Sequence, residues 1–115
     1  MSFEKVASLD EVAVGSARQV VVGGEPVALV RTGEQTVKAV HDTCSHQQWS
    51  LSEGWVDDDT IECDLHGSAF DLDTGQPTSL PAVRPVPVYA CEIRDGAVWV
   101  DPARQLNDAP VPRHL

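Results

Sequence analysis

The chain has 115 residues, which is the usual size of one domain, and its 42% hydrophobic and 23% charged residues are typical of a globular protein rather than a disordered or collagen-like one. Eighteen acidic residues against eight basic ones give a formal net charge of −10, which disfavours nucleic acid and anionic membranes as partners and favours a basic partner surface. No uninterrupted apolar run exceeds four residues, whereas a membrane-spanning helix needs ~20.

The predicted elements are short β-strands. They cover, in chain order, residues 16–22, 27–31, 36–40, 60–63, 69–72, 86–93 and 97–100, each bounded by Gly- or Asp-rich turns. The last two strands flank Asp95-Gly96, which predicts a two-residue hairpin because glycine accepts positive φ. Residues 9–12 are the one helical candidate, and they are too few for more than a turn. The pattern predicts an all-β fold that is a sandwich or a barrel, and an antiparallel sandwich is the form that we expect.

Residues 41–85 interrupt this β pattern. They hold two of the three cysteines, three of the four histidines and two of the three tryptophans. We therefore predict one domain in which residues 1–40 and 86–106 form a basal β part and residues 41–85 form an inserted functional subdomain. Residues 107–115 contain two prolines and no periodicity, which predicts a loose C-terminal tail.

The cysteines are expected to be reduced. Three cysteines cannot all pair, and the N-terminus lacks the basic and then apolar pattern of a secretory signal, so we expect a cytoplasmic protein. In that compartment thiols bind metal or stay free more often than they form disulfides.

Two cysteine–histidine pairs indicate a metal centre. Cys44 and His46 form the first box, and Cys63 and His66 form the second after sixteen intervening residues. Thiolate with imidazole suits iron–sulfur clusters, zinc or copper. A structural zinc site usually groups its two cysteines before its two histidines, whereas each box here offers one of each. The mixed order favours the ligation of a Rieske [2Fe–2S] cluster, with a structural zinc module as the alternative.

The surroundings of the boxes resemble the small Rieske-type ferredoxins. The resemblance lies in TCSHQQWSLSEG (residues 43–54), ECDLHGSAFD (residues 62–71) and the Thr-Gly turn at 74–75, and it covers most of the chain. It implies one [2Fe–2S] cluster, with Cys44 and Cys63 on the inner iron and His46 and His66 on the outer iron. Two ferric ions, two sulfides and two thiolates sum to zero charge, so neutral imidazoles give a higher potential than four thiolates would.

Further cofactor-binding residues follow from the same resemblance. Gly67 is expected to let backbone amides approach the sulfides, with an ordinary turn glycine as the alternative. Ser68 stands where respiratory Rieske proteins carry a serine that donates a hydrogen bond to a sulfide. Phe70 stands where they carry a tyrosine whose hydroxyl donates to a cysteine sulfur. Because this chain lacks the second donor, the resemblance implies a reduction potential below theirs. Pro81 lies in a segment that resembles the family's cluster-covering proline loop; a surface turn is the alternative.

The loops need another support in this chain. Trp49 and Leu65 occupy the positions of two cysteines that form a disulfide in the respiratory proteins. Packing by Trp49, Leu51 and Trp55 is expected to hold the loops instead.

Four remaining features are expected to be passive. Cys91 is predicted to be a buried, inert thiol. His41 is expected to be a solvated histidine at the end of a strand, and the three aspartates at 57–59 are expected to be solvated. His114, in the tail, is given no role.

The resemblance implies a soluble one-electron carrier rather than an enzyme. It would pass electrons from an NAD(P)H-dependent flavin reductase to a terminal non-haem iron oxygenase, as a monomer that docks transiently. A Rieske oxygenase also needs two histidines and a carboxylate for a mononuclear iron, and only His41 and His114 are left over. A small Rieske subunit of a reductase such as nitrite reductase and a ferredoxin serving iron–sulfur assembly remain alternatives.

Overall fold

The computed structural model describes residues 3–42, 50–57, 59–62, 69–78 and 85–107. Within these ranges the chain forms nine β-strands, two short 3₁₀ turns and no α-helix, which confirms the predicted all-β class. The strands are β1 (Glu4–Ser8), β2 (Ser16–Val22), β3 (Glu25–Gly33), β4 (Thr36–His41), β5 (Trp55–Asp57), β6 (Thr60–Glu62), β7 (Ala69–Asp71), β8 (Val88–Arg94) and β9 (Ala97–Gln105). The 3₁₀ turns are Leu9–Glu11 and Leu51–Glu53.

Six strands form one antiparallel sheet in the order β1-β9-β8-β4-β3-β2. The β2–β3 hairpin turns at Gly23 and Gly24, whose φ angles are 59° and 82°. The β8–β9 hairpin turns at Asp95 and Gly96, with φ angles of 50° and 74°, which confirms the hairpin predicted from this dipeptide. No helix in the described ranges has the length and apolar character needed to cross a membrane.

The six-stranded sheet folds over itself, so that β1 contacts β2. One apolar core lies between its two halves and draws on all six strands and on the first 3₁₀ turn. Its buried members are Ala7, Leu9, Val12, Val22, Val27, Leu29, Val37, Ala39, Tyr89, Val98 and Val100. Of the two forms that the strand pattern allowed, this arrangement is the expected sandwich.

Strands β5, β6 and β7 form a second antiparallel sheet that lies on the outer side of β3 and β4. Successive side chains of a strand point to opposite faces, so Val27 and Leu29 of β3 enter the first core while Ala28 and Val30 enter a second one. The small sheet contributes Ile61 and Phe70 to the second core. Its other buried members are Val40, Leu51, Leu72, Val86 and Val88. Strand β3 is therefore covered on both faces.

Candidate metal centre

The seven residues predicted to bind or flank a cofactor fall in three segments outside the described residues. These are Cys44 and His46 in residues 43–49, Cys63, His66, Gly67 and Ser68 in residues 63–68, and Pro81 in residues 79–84. The described residues on either side of each segment show where the segment joins the two sheets.

The first segment begins after Asp42, which is 1% exposed. Its backbone N–H donates to the Pro26 carbonyl at 3.0 Å, and its carbonyl accepts the Leu51 N–H at 2.6 Å. Its carboxylate accepts two further hydrogen bonds, from Gln19 Nε2 at 2.5 Å and from the Ser52 N–H at 2.7 Å. Asp42 therefore ties the two ends of residues 43–49 together and fixes both to the edge of the large sheet.

The second segment connects β6 to β7. Glu62 pairs with Ala69 in the antiparallel register, so residues 63–68 leave and re-enter the small sheet at adjacent positions. One position further into the sheet, Ile61 and Phe70 are paired and fully buried. The base of the second box thus rests on the core.

The third segment begins beside the second. Both the N–H and the hydroxyl of Thr78 donate to the Ala69 carbonyl, at 2.7 and 3.3 Å. At its other end the Val86 N–H donates to the Gly75 carbonyl at 2.9 Å. Gly75 has a φ of +75°, and a Cβ added there would lie 2.1 Å from the Val86 carbonyl oxygen, so only glycine allows this close approach.

Asn107 joins the two sides of the third segment. Its Nδ2 donates to the carbonyls of Thr74 at 2.8 Å and Val86 at 2.9 Å, and its Oδ1 accepts the Val88 N–H at 3.1 Å. The Gln105 side chain donates to its Oδ1 at 3.1 Å. The sequence placed Asn107 at the start of a loose tail, but its side chain is bound into the fold; residues 108–115 lie outside the described ranges.

The described residues that flank the three segments lie at one end of the small sheet or lead to it. Trp55 pairs with Glu62, Glu62 pairs with Ala69, and Ala69 accepts the hydrogen bonds of Thr78. The first segment leads to this end through the 3₁₀ turn Leu51–Glu53, which directly precedes Gly54 and β5. Both cysteine–histidine boxes thus belong to segments whose described flanking residues are tied to this end of the sheet or lead to it.

The expected support of the loops by three apolar side chains is correct in one part and wrong in another. Leu51 is fully buried in the second core, as predicted. Trp55 is 67% exposed because its position in β5 faces away from the core, so the packing expected of it is not found among the described residues. Trp49 lies outside the described residues.

His41 is another correction. It was expected to be solvated, but it is 2% exposed, and its Nε2 lies 3.3 Å from Glu25 Oε2. The backbone N–H of His41 donates to the Pro87 carbonyl at 2.8 Å. The reason is the sheet register, which pairs His41 with the buried Val27 on the central strand β3.

Cys91 is the described cysteine; it was predicted to be a buried, inert thiol, and it is partly buried against the first core. Burial raises its pKa from 9.0 to about 12, although the nearby Lys38 ammonium acts in the opposite direction. The thiol therefore stays protonated at neutral pH, and a thiol in that form is neither a metal ligand nor a nucleophile.

The donor set of the two boxes fits a [2Fe–2S] cluster. Two thiolates and two neutral imidazoles match the asymmetric ligation of the Rieske type. Within the described residues no group of three or more His, Cys, Asp or Glu side chains could hold a metal ion. Of the three aspartates expected to be solvated, Asp57 and Asp59 are exposed, and Asp58 lies outside the described residues.

Comparisons with known proteins agree with this donor set. Residues 2–90 match the family described as Rieske [2Fe-2S] domain. Ferredoxin CarAc of Metapseudomonas resinovorans is 43% identical over 97 residues, which cover 84% of this chain and 90% of that protein. The ferredoxin component of biphenyl 2,3-dioxygenase from Rhodococcus jostii is 36% identical over 101 residues, covering 88% of this chain and 94% of that protein. A solved chain in the complex of reduced oxygenase and oxidized ferredoxin of carbazole 1,9a-dioxygenase superposes with a TM-score of 0.80 at 39% identity, covering 90% of this chain and 94% of that one.

Proposed function

The chain belongs to the Rieske [2Fe-2S] domain family, and on that premise we propose that it is the ferredoxin component of a multicomponent oxygenase, which carries one electron at a time to a terminal non-haem iron oxygenase. The observation that supports this most strongly is the extent of the matches. CarAc and the biphenyl dioxygenase component are both named as ferredoxins, and each aligns with this chain over nearly its whole length.

We propose that Cys44 and Cys63 hold one iron of the cluster and that His46 and His66 hold the other. The attachment of residues 43–49 and 63–68 to one end of the small sheet supports this assignment. A bound [2Fe–2S] cluster supplies reversible uptake of one electron. The backbone at Gly67 and the hydroxyl of Ser68 would donate hydrogen bonds to it, and Pro81 would shield it from water.

The two sheets have different roles in this proposal. The large sheet, drawn from residues 1–40 and 86–106, forms a rigid base, and residues 41–85 form the cluster-binding subdomain. Asp42 and Asn107 fix the points at which two of the three cluster segments join that base. The geometry of the donor groups is then set by the fold before an electron arrives, as a carrier requires.

The proposed partners are a flavin-dependent NAD(P)H reductase as electron donor and the oxygenase as acceptor. An oxygenase complex has been solved for the similar carbazole dioxygenase ferredoxin, which supports the acceptor. The net charge of −10 supports transient docking with basic surfaces, so transfer should slow as ionic strength rises, since salt screens exposed charges within ~10 Å at 0.1 M. The free thiol of Cys91 supports a cytoplasmic location, and we expect a monomer.

The test is metal analysis and spectroscopy of the purified protein. We expect two iron and two acid-labile sulfide per chain, a red-brown colour and a rhombic EPR signal after reduction. Cys44→Ser should abolish that signal, while the matched control Cys91→Ser should keep it. A colourless protein that contains zinc would contradict the proposal, and a normal signal in Cys44→Ser would contradict the ligand assignment alone.

A further inference from the structure

Trp55 is an unusual surface residue. It is 67% exposed, although a tryptophan side chain offers more apolar area for burial than any other residue and is enriched at the centres of protein interfaces. It lies on β5, an edge strand of the small sheet, at the end of the sheet to which residues 63–68 are attached. The indole is thus placed next to the proposed cluster site.

The register of the small sheet defines what surrounds Trp55. Directly paired residues of antiparallel strands share a face, so Trp55, Glu62 and Ala69 lie in one row on the outer face, opposite the buried side chains of Ile61 and Phe70. Glu62 is exposed as well. The outer face therefore presents an aromatic ring beside a carboxylate.

The charge on this face has one sign. The next row contains the exposed Asp57, paired with Thr60, and Thr60 is paired with Asp71. None of the nine residues of β5, β6 and β7 is a lysine or an arginine. Since these three strands place no cation beside their carboxylates, the face favours a partner that supplies one.

We propose that Trp55 and Glu62 form the docking contact for an arginine side chain on the terminal oxygenase. A guanidinium group stacks on an indole ring and donates paired hydrogen bonds to a carboxylate, so one arginine satisfies both groups. Glu62 directly precedes Cys63 in the chain, and Ala69 directly follows Ser68. A partner seated on this row is therefore one residue from the second ligand box.

The proposal rests on the proposed function, and it goes further by naming the residues and the chemistry of the contact. The occupant is the oxygenase rather than the reductase because the similar carbazole dioxygenase ferredoxin, at 39% identity, has been solved in complex with an oxygenase. The acidic face excludes acidic partners, and the exposed ring requires a partner that can cover apolar area.

The experiment measures electron transfer from the reduced holoprotein to the oxygenase by stopped-flow spectroscopy at several salt concentrations. We expect Trp55→Ala to lower the second-order rate constant about tenfold, which corresponds to about 1.4 kcal/mol. Trp55→Phe should retain part of the rate because it keeps an aromatic face. Glu62→Gln should lower the rate and reduce its dependence on salt.

Two control variants match these changes at the end of the large sheet that is opposite Asp42. Val14→Ala truncates an apolar side chain that is 53% exposed and lies next to Gly15, which is hydrogen-bonded to Arg31 of β3. Glu34→Gln removes one exposed carboxylate from the β3–β4 turn, at the opposite end of these strands from Asp42. Both controls should transfer electrons at the wild-type rate, and every variant should keep the wild-type EPR spectrum.

The outcomes separate this inference from the proposed function. A wild-type rate for Trp55→Ala overturns the docking contact but leaves the carrier function intact. Slower reduction by the reductase with an unchanged rate to the oxygenase overturns the choice of occupant. Failure of the wild-type protein, with its cluster present, to reduce any oxygenase overturns the proposed function itself.

Discussion

Gly75 offers a direct test of how tightly the third segment is joined to the fold. Gly75→Ala forces an L-residue into φ = +75° and places its Cβ 2.1 Å from the Val86 carbonyl oxygen and 2.6 Å from Asn107 Nδ2. Gly24→Ala is a matched control, because Gly24 has φ = +82° and nothing within 4 Å of an added Cβ. The two substitutions share the backbone strain, and only the first adds the collision.

The expected magnitudes follow from these contacts. Left-handed backbone costs a non-glycine residue about 1–2 kcal/mol, and Gly24→Ala should lose only that. Gly75→Ala must also move residue 75 away from Val86, which breaks the Val86 N–H to Gly75 carbonyl bond and the Asn107 Nδ2 to Val86 carbonyl bond, both 2.9 Å long. At about 1 kcal/mol for each bond, the total loss is about 3–4 kcal/mol.

The assay is urea unfolding of the holoprotein, followed by tryptophan fluorescence and by the visible absorbance of the cluster. With a slope of about 1.5 kcal/mol per M urea, the midpoint should fall by roughly 1 M in Gly24→Ala and by roughly 2 M or more in Gly75→Ala. Asn107→Ala keeps Gly75 but removes the bridging amide. Its urea midpoint should lie between those of wild type and Gly75→Ala. Equal midpoints for the two glycine variants would refute the reasoning.

Three other predictions concern single buried groups. Asp42→Ala leaves two hydrogen-bond donors without their acceptor, so it should destabilise the fold by about 2–4 kcal/mol and lower the iron content per chain, whereas Asp95→Asn at an exposed turn should keep both. Because burial raises the pKa of Cys91 from 9.0 to about 12, the folded state holds that proton more tightly than the unfolded state. The stability that the protonated thiol contributes is complete below pH 9 and is lost between pH 9 and about pH 12. Cys91→Ala has no thiol to lose a proton, so its urea midpoint should decline less over that range than the midpoint of wild type. Phe70→Ala removes a fully buried ring from the core between the sheets and should cost about 3–5 kcal/mol in urea unfolding; a loss below 1 kcal/mol would contradict that role.

Much of the strand pattern could be predicted from the sequence because it depends on local signals. β2 has its predicted bounds, and the Asp95-Gly96 hairpin lies where the dipeptide placed it. The strands that were missed carry weak local signals. β1 (EKVAS) has two polar residues at its start, and β5 has only three residues, which is too short for a period to be read.

The candidate site also has a part that the sequence predicts and a part that it does not. The two cysteine–histidine boxes could be recognised because their chemistry depends on residue type and spacing. The hydrogen bonds of the Asn107 side chain could not be predicted, because its partners lie 19, 21 and 33 residues away in the chain and no local pattern indicates them. The errors at Trp55 and His41 have one cause: whether a side chain near the end of a strand faces the core depends on the register, which is set by the neighbouring strands.

The packing around the site also bears on the choice between a redox cluster and a structural zinc. A structural zinc ion replaces a hydrophobic core, and small zinc domains are unfolded without it. Here Leu51 and Ile61, which lie between the two ligand boxes, are fully buried together with Phe70 in a core that joins both sheets. The connection between the boxes is therefore held by apolar packing. Because apolar side chains already form the core between the two ligand boxes, a role in electron transfer explains the two thiols and two imidazoles better than a structural zinc site does.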